Sequence, residues 1–190
     1  MAEEIQEIGR RGAATLKRWL EATTYIELPF DAYNNKIDCM VDTFGGKKQF
    51  DLVGYMLAGD KSPVIIESKK YKSAGGQYNE FVKFLAIAYA HTAKEVEEYG
   101  TSREARYFWV TFHPFNLDNW SKFETVSHMK MALTKHPEYV KGHSVDDDLV
   151  GQVANRVTVL VFNPKQEDLS LTRLELEKIR PILARKVRTL

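Results

Sequence analysis

Four stretches of this chain are apolar and rich in β-branched or aromatic residues but lack helical spacing: QFDLVGYML, VIIESKKY, ARYFWVTFHPF and RVTVLVFNP. Runs of this kind suit strands buried on both faces of a sheet. Their connections limit the topology. AGDKSP, with Gly and Pro as breakers, joins the first two directly, which makes them antiparallel neighbours. Helix-like sequence separates the second run from the third and the third from the fourth, so those strands are reached by crossovers. An α/β fold follows, with a mixed sheet flanked by helices.

The remaining segments fill in this frame. Ile5, Ile8, Leu16, Trp19 and Leu20 are spaced for a helix over residues 3 to 23, with Gly9 and Gly12 weakening its middle. TTYIEL is β-prone but ends at Pro29. KIDCMVDTF and QFDLVGYML flank GGKK, a hairpin signal, so the expected core is a three-strand antiparallel meander of KIDCMVDTF, QFDLVGYML and VIIESKKY. After Gly75 and Gly76, the stripe Phe81, Phe84, Leu85, Ala88 and Tyr89 predicts the strongest helix, ending near Gly100. KFETVSHMKMALTKH reads as another helix, and residues 137 to 155 as a long loop with room for a short one. SLTRLELEKIRPILARKV reads as a final helix, capped by Ser170 or Thr172 and kinked at Pro181. No repeat or low-complexity tract occurs, and the expectation is one domain over residues 1–190.

Composition excludes several classes. Hydrophobic residues are 44% and charged residues 28%, an ordinary globular balance, and no apolar run is long enough to span a bilayer. The polar start MAEEIQEIGRRG is unlike a secretory leader, and Cys39 is the only cysteine, so a cytoplasmic, reducing setting is expected. With 27 Lys and Arg against 26 Asp and Glu, the net charge is only +1, so any grip on a polyanion must be local. Basic clusters at Arg10/Arg11, Lys17/Arg18, Lys47/Lys48 and Arg185/Lys186/Arg188 read mainly as solvated faces, whereas Lys69, Lys70 and Lys72 adjoin the candidate site.

That site follows from strand alternation. Glu67 and Lys69 stand two residues apart at the end of VIIESKKY and so project from one face. A charged pair closing an apolar strand calls for a partner or a metal. Asp51, on the neighbouring strand, completes a set of two carboxylates, the Ser68 main-chain carbonyl and one amine. Hard oxygen donors of this kind suit Mg²⁺, with Mn²⁺ as substitute, and Lys69 is placed to orient or deprotonate a water. Phosphodiester hydrolysis needs those functions.

Asp51 in QFDLVG and the Glu67-Ser68-Lys69 triplet resemble the PD-(D/E)xK nuclease superfamily, whose restriction-endonuclease-like core of helix, three-strand meander, helix and strand is similar to the order read over residues 3 to 113. The resemblance implies a Mg²⁺-dependent DNA endonuclease in phage defence or DNA processing, with Asp51, Glu67 and Lys69 catalytic. It implies Gln77 as an auxiliary residue, as in branches with a glutamine at the start of that helix. Lys47, Lys48, Lys70 and Lys72 are the expected nucleic-acid contacts, and the chain would act as a homodimer or within a larger effector complex. Two departures stand out. Phe50 occupies the place of the name-giving Pro, and Gly12 is followed by Ala13, Ala14 and Thr15 where many members carry a first-helix glutamate, leaving Glu7 and Glu21 as substitutes.

Other constellations read more simply. Asp38 is an additional candidate ligand, while Asp42 lies nearer the turn. Asp146, Asp147 and Asp148 lack the Gly and Glu of a calcium loop and read as solvated loop. The histidines show no H-E-x-x-H pairing, and no G-x-S-x-G or P-loop motif occurs. Phe115 and Trp120, beyond the aromatic strand, are candidates for base stacking. The alternative to an enzyme is a nuclease-fold binding or assembly subunit of a larger nucleoprotein complex with reduced catalysis.

Overall fold

The computed structural model describes residues 2–70 and 75–186, with side chains described from residue 7 onward. Its centre is a five-stranded mixed sheet in the order β1-β4-β5-β6-β7. β1 (Ile26–Asp31), β4 (Leu52–Met56) and β5 (Pro63–Lys69) are antiparallel, while β6 (Arg106–Thr111) and β7 (Val157–Val161) run parallel to β5. α1 (Ala2–Thr23) covers one face. α2 (Gln77–Tyr99), α3 (Val126–Lys135) and α4 (Asp147–Ala154) cover the other, which is where two successive right-handed crossovers in one direction place their helices.

Strand alternation divides the core in two. On β5, Val64 and Ile66 join Leu16, Leu20, Leu28 and Leu52 under α1, whereas Ile65 joins Phe81, Phe84, Leu85 and Trp109 under α2. Gly9 and Gly12 leave room on α1 for the side chains of Tyr33 and Lys70. A β-carbon on Gly9 would stand 2.7 Å from the Tyr33 hydroxyl, and one on Gly12 2.9 Å from the Lys70 stem.

The antiparallel half differs from the expected meander in its first strand. The outer position belongs to β1, and KIDCMVDTF contributes only β2 (Met40–Thr43), which pairs with β3 (Gly46–Gln49) as a separate two-stranded hairpin. Pro29 is tolerated because β1 is an edge strand and the proline falls where the register shifts between Glu27 and Phe30. The Asp31 carboxylate accepts from the amides of Tyr33 and Asn34 at 3.0 and 2.9 Å, turning the chain out of the sheet. QFDLVGYML is split at Phe50 and Asp51. Phe50 is buried edge-on against Phe84, and the Asp51 amide donates to Ile66 O at 3.1 Å.

The acidic triplet read as solvated loop instead starts α4: Asp146 Oδ1 accepts from the amides of Asp148 and Leu149, and the next two aspartates sit in the first turn, where the helix dipole favours them. The last helix is shorter than expected. α5 (Arg173–Ile179) begins at a Thr172–Glu175 capping box and stops before Pro181. Lys17 and Arg185, expected on solvated faces, are buried. Arg185 donates to the carbonyls of Ile26, Glu21 and Thr24 at 2.8, 2.6 and 3.1 Å, and Lys17 Nζ donates to Leu28 O. Arg188 lies outside the described residues. Among the described residues no helix is long and apolar enough to cross a membrane.

Gly54 is the tightest backbone position. A β-carbon there would lie 1.9 Å from Glu27 O, on the main chain of β1, which cannot yield without breaking the β1–β4 pairing. Gly54→Ala is expected to cost about 3 kcal/mol, the upper end for overpacking, read as a lower denaturation midpoint with unchanged slope in urea.

Candidate functional site

The site forms where β4 and β5 part. Their last paired residues are Leu52 and Ile66, while β5 continues beside β6 to the pair Lys69 and Thr111. Asp51, one residue before β4, occupies the fork: its Oδ2 accepts the Ser68 amide at 2.7 Å, and its carbonyl accepts the Ala32 amide at 2.9 Å. Both ends of Asp51 are thus fixed by main chain. Amide and carbonyl of one strand residue point to the same side, so the Ser68 carbonyl also opens toward the Asp51 edge of β5.

Glu67 and Lys69 continue the face that Ile65 begins, toward α2, as the spacing predicts. Glu67 Oε1 and Lys69 Nζ are 2.5 Å apart, with side chains only 19% and 17% exposed. Lys69 Nζ lies 5.4 Å from the centre of the Trp109 ring, a cation–π contact, and Trp109 is clamped among Phe81, Phe84 and Phe115. A rigid aromatic wall therefore backs the ion pair.

Electrostatics at the fork are strained. Burial raises the Glu67 carboxyl first and the neighbouring Asp51 charge raises it further; Lys69 opposes both, and the result is about 7. Asp51 is raised by burial too, against the pull of the Ser68 amide and Lys69. Two crowded carboxylates that resist joint ionisation form an oxygen pair suited to a divalent cation, which removes the repulsion. Among the described residues no group of three or more His, Cys, Asp or Glu could hold a metal ion, and the oxygens gathered at the fork are those of Asp51, Glu67 and the Ser68 main chain. Mg²⁺ bound with substrate phosphates commonly has no more.

The other expected residues are dispersed. Gln77 is fully buried, accepting from Thr111 Oγ1 at 2.6 Å and donating to His113 O at 3.4 Å, so its amide ties the start of α2 to the end of β6 beside Lys69. Asp38 is exposed in the turn before β2 and borders a separate open cleft of about 910 Å³ that also touches Val53, Tyr55, His91 and Arg103. Lys70 is on the α1 face, its ammonium 5.1 Å from the Phe112 ring centre. Lys47 is exposed on the hairpin. Lys48 reaches a cavity of about 120 Å³ that also touches Glu67, Glu80, Lys83 and Trp109. Lys72 lies outside the described residues. Phe115 and Trp120 belong to the core: Phe115 is buried, and their rings meet edge to face at 5.8 Å.

Three further residues border the site: Tyr33, Glu80 and Lys83. Tyr33 lies close enough for the charges on Asp51, Asp31 and Glu67 to raise its phenol, adding to the effect of burial. Glu80 and Lys83 line the small cavity from α2. Their signal in the sequence is positional, since both lie on the cavity-facing stripe that continues to Phe84 and Ile87. Of the proposed substitutes for a first-helix glutamate, Glu7 is tied to Arg10 and Arg11 at 2.8 and 2.7 Å, which hold its carboxyl down at about 2. Glu21 is buried and accepts the Leu28 amide at 2.9 Å.

No protein-family model and no curated protein matches the chain. Among solved structures, the Moraxella osloensis Cap4 SAVED/CARF-domain containing receptor is similar over 93% of this chain and 36% of its own, at 15% identity and a TM-score of 0.34. The Acinetobacter baumannii Cap4 SAVED/CARF-domain containing receptor with the cyclic trinucleotide 3'3'3'-cAAA is similar over 94% of this chain and 35% of its own, at 11% identity and a TM-score of 0.35. The chain thus spans about a third of the length of these receptors.

The raised carboxyl has a signed consequence. A carboxylic acid whose folded value lies above its unfolded one favours folding below the unfolded value, and that contribution is lost as pH rises through the folded value. For Glu67 the loss runs from about 4.5 to about 7. Glu67→Gln should therefore raise the melting temperature relative to wild type in metal-free buffer above that window, with the gain shrinking below it. A gain independent of pH in thermal melts would contradict the assignment.

Proposed function

We propose that this chain is a metal-dependent endonuclease domain of the PD-(D/E)xK kind that hydrolyses phosphodiester bonds of DNA. The observation that carries the reading is the Asp51 carboxylate held on the Ser68 amide beside the Glu67–Lys69 ion pair, at the fork of β4 and β5. Asp51, Glu67 and the Ser68 carbonyl would hold Mg²⁺ or Mn²⁺. When bound, the ion supplies Lewis-acid stabilisation of charge developing on the phosphate and lowers the pKa of water.

The chain's own groups divide the remaining work. Asp51 is oriented before substrate arrives, because its Oδ2 is fixed by the Ser68 amide. Lys69 stands between Glu67 and the Trp109 ring, where its ammonium can donate to a phosphate oxygen or to the attacking water. Gln77 secures β6 alongside Lys69 through Thr111, a positioning role.

A second reading, a nuclease-fold assembly subunit with reduced catalysis, has one observation in its favour: Glu7 and Glu21 are committed to Arg10, Arg11 and the Leu28 amide. The two readings separate cleanly. With Mg²⁺ or Mn²⁺ the purified protein is expected to cut plasmid or linear duplex DNA, and Lys69→Ala and Glu67→Gln to lower the rate by about 100-fold or more, the usual minimum for an acid–base group. Calorimetric titration with Mg²⁺ is expected to show binding that Glu67→Gln abolishes. Metal binding without cleavage of DNA or RNA supports the second reading, and loss of neither binding nor cleavage in both variants refutes the site.

A further inference from the structure

The small cavity beside Glu67 has a cationic flank that the hydrolytic site does not use. It is built on the β2–β3 hairpin, which is docked firmly on the helical layer. The imidazole of His91 on α2 meets Asp42 O at 3.0 Å through Nδ1, Phe44 stacks on His143 at 3.9 Å, and a β-carbon on Gly45 would stand 2.5 Å from Glu138 O. The hairpin therefore behaves as a fixed arm. It carries Lys48 to the cavity mouth, where Lys83 arrives from α2.

Both lysines converge on one side chain. Lys48 Nζ lies 5.0 Å from the centre of the Tyr139 ring, while Lys83 lines the same cavity near enough to offset part of the rise that burial imposes on the Tyr139 phenol. Tyr139 is 4% exposed, so its ring is a fixed surface beneath the Lys48 ammonium. Among the described residues neither lysine closes an ion pair with a carboxylate, although Glu80 and Glu138 contribute to the field around Tyr139. Lys17, Lys69, Lys94 and Lys130, in contrast, each have a carboxylate within ion-pairing distance. Two like charges gathered on one tyrosine repel, and an anion between or above them removes that cost.

Size narrows the choice of anion. At about 120 Å³ the cavity is well below the roughly 300 Å³ at which pockets for whole small molecules begin, so it admits a phosphate group with its waters but not a nucleotide. We infer that Lys48 and Lys83, held on Tyr139, form a phosphate clamp that grips the backbone of a nucleic-acid strand next to the phosphate presented to Asp51, Glu67 and Lys69. The clamp rests on the nuclease reading for its choice of ligand. It accounts for how a chain of net charge +1 can hold a polyanion locally.

The test reads binding apart from chemistry. Anisotropy of a short labelled duplex is titrated with Glu67→Gln protein, without divalent cation, over a series of salt concentrations. Adding Lys48→Ala or Lys83→Ala should weaken binding roughly tenfold at low salt and reduce the slope of log K against log salt by about 1, as removal of one phosphate contact does. Lys178→Ala, on exposed α5, serves as the charge-matched control and should leave both unchanged. Tyr139→Phe keeps the ring under Lys48 and should weaken binding less than Lys83→Ala. Lys83→Gln stands in if the alanine variant fails to fold, and Lys→Arg at either position should retain most of the salt slope. An unchanged slope in both lysine variants, or an equal loss in Lys178→Ala, overturns the clamp. So does thermal stabilisation by inorganic phosphate that depends on both lysines when the duplex does not bind, since the site would then be one for free anions. A protein that binds through these lysines but never cuts refutes the nuclease reading alone, and one that cuts without them refutes the clamp alone.

Discussion

Everything in this structure turns on β5 being buried on both faces. A strand in that position cannot slip by one residue without exchanging Val64 and Ile66 with Ile65 between two cores that already fit them. The same alternation carries Glu67 and Lys69 to the α2 face and leaves the Ser68 amide on the edge toward β4, where Asp51 meets it. Register in the core thus fixes the position of each polar group beyond it. The charged cluster begins where the apolar ladder ends.

Much of this was legible in the sequence because period-two alternation needs no tertiary knowledge. The pairing of Glu67 with Lys69, the approach of Asp51, the helix after Gly76 and the two crossover strands all followed from spacing and turn composition. What escaped depends on long-range contacts. Pro29 argued against β1 until its edge position and register shift were visible, and with β1 in place the hairpin left the main sheet. Lys17 and Arg185 resembled ordinary surface cations, because nothing local indicates that Leu28 O, Ile26 O and the Glu21 carbonyl would need donors. Lys83 was hidden in a helix whose apolar stripe drew attention away from the charged positions beside it.

The fork is built at some cost to the fold. Glu67 and Asp51 are each raised by burial, and Glu67 is raised again by its neighbour, so the fold disfavours the charged form of both. Structure around them compensates through the Ser68 amide, the Lys69 ammonium and the aromatic wall at Trp109. The result is a locally frustrated site held in place by an unfrustrated sheet, the usual division where function and stability compete.

The buried charges along β1 also govern how the sheet ends. Leu28 has its amide taken by Glu21 and its carbonyl by Lys17, and Ile26 O is taken by Arg185 from the far end of the chain. Side chains thus stand where a sixth strand would pair, and Pro29 removes one further donor. At the opposite margin, β7 has its Val159 amide covered by Glu124 at 2.6 Å. Both margins of the sheet are therefore closed by side chains rather than by strands: Lys17, Glu21 and Arg185 occupy backbone groups of β1, and Glu124 occupies one of β7.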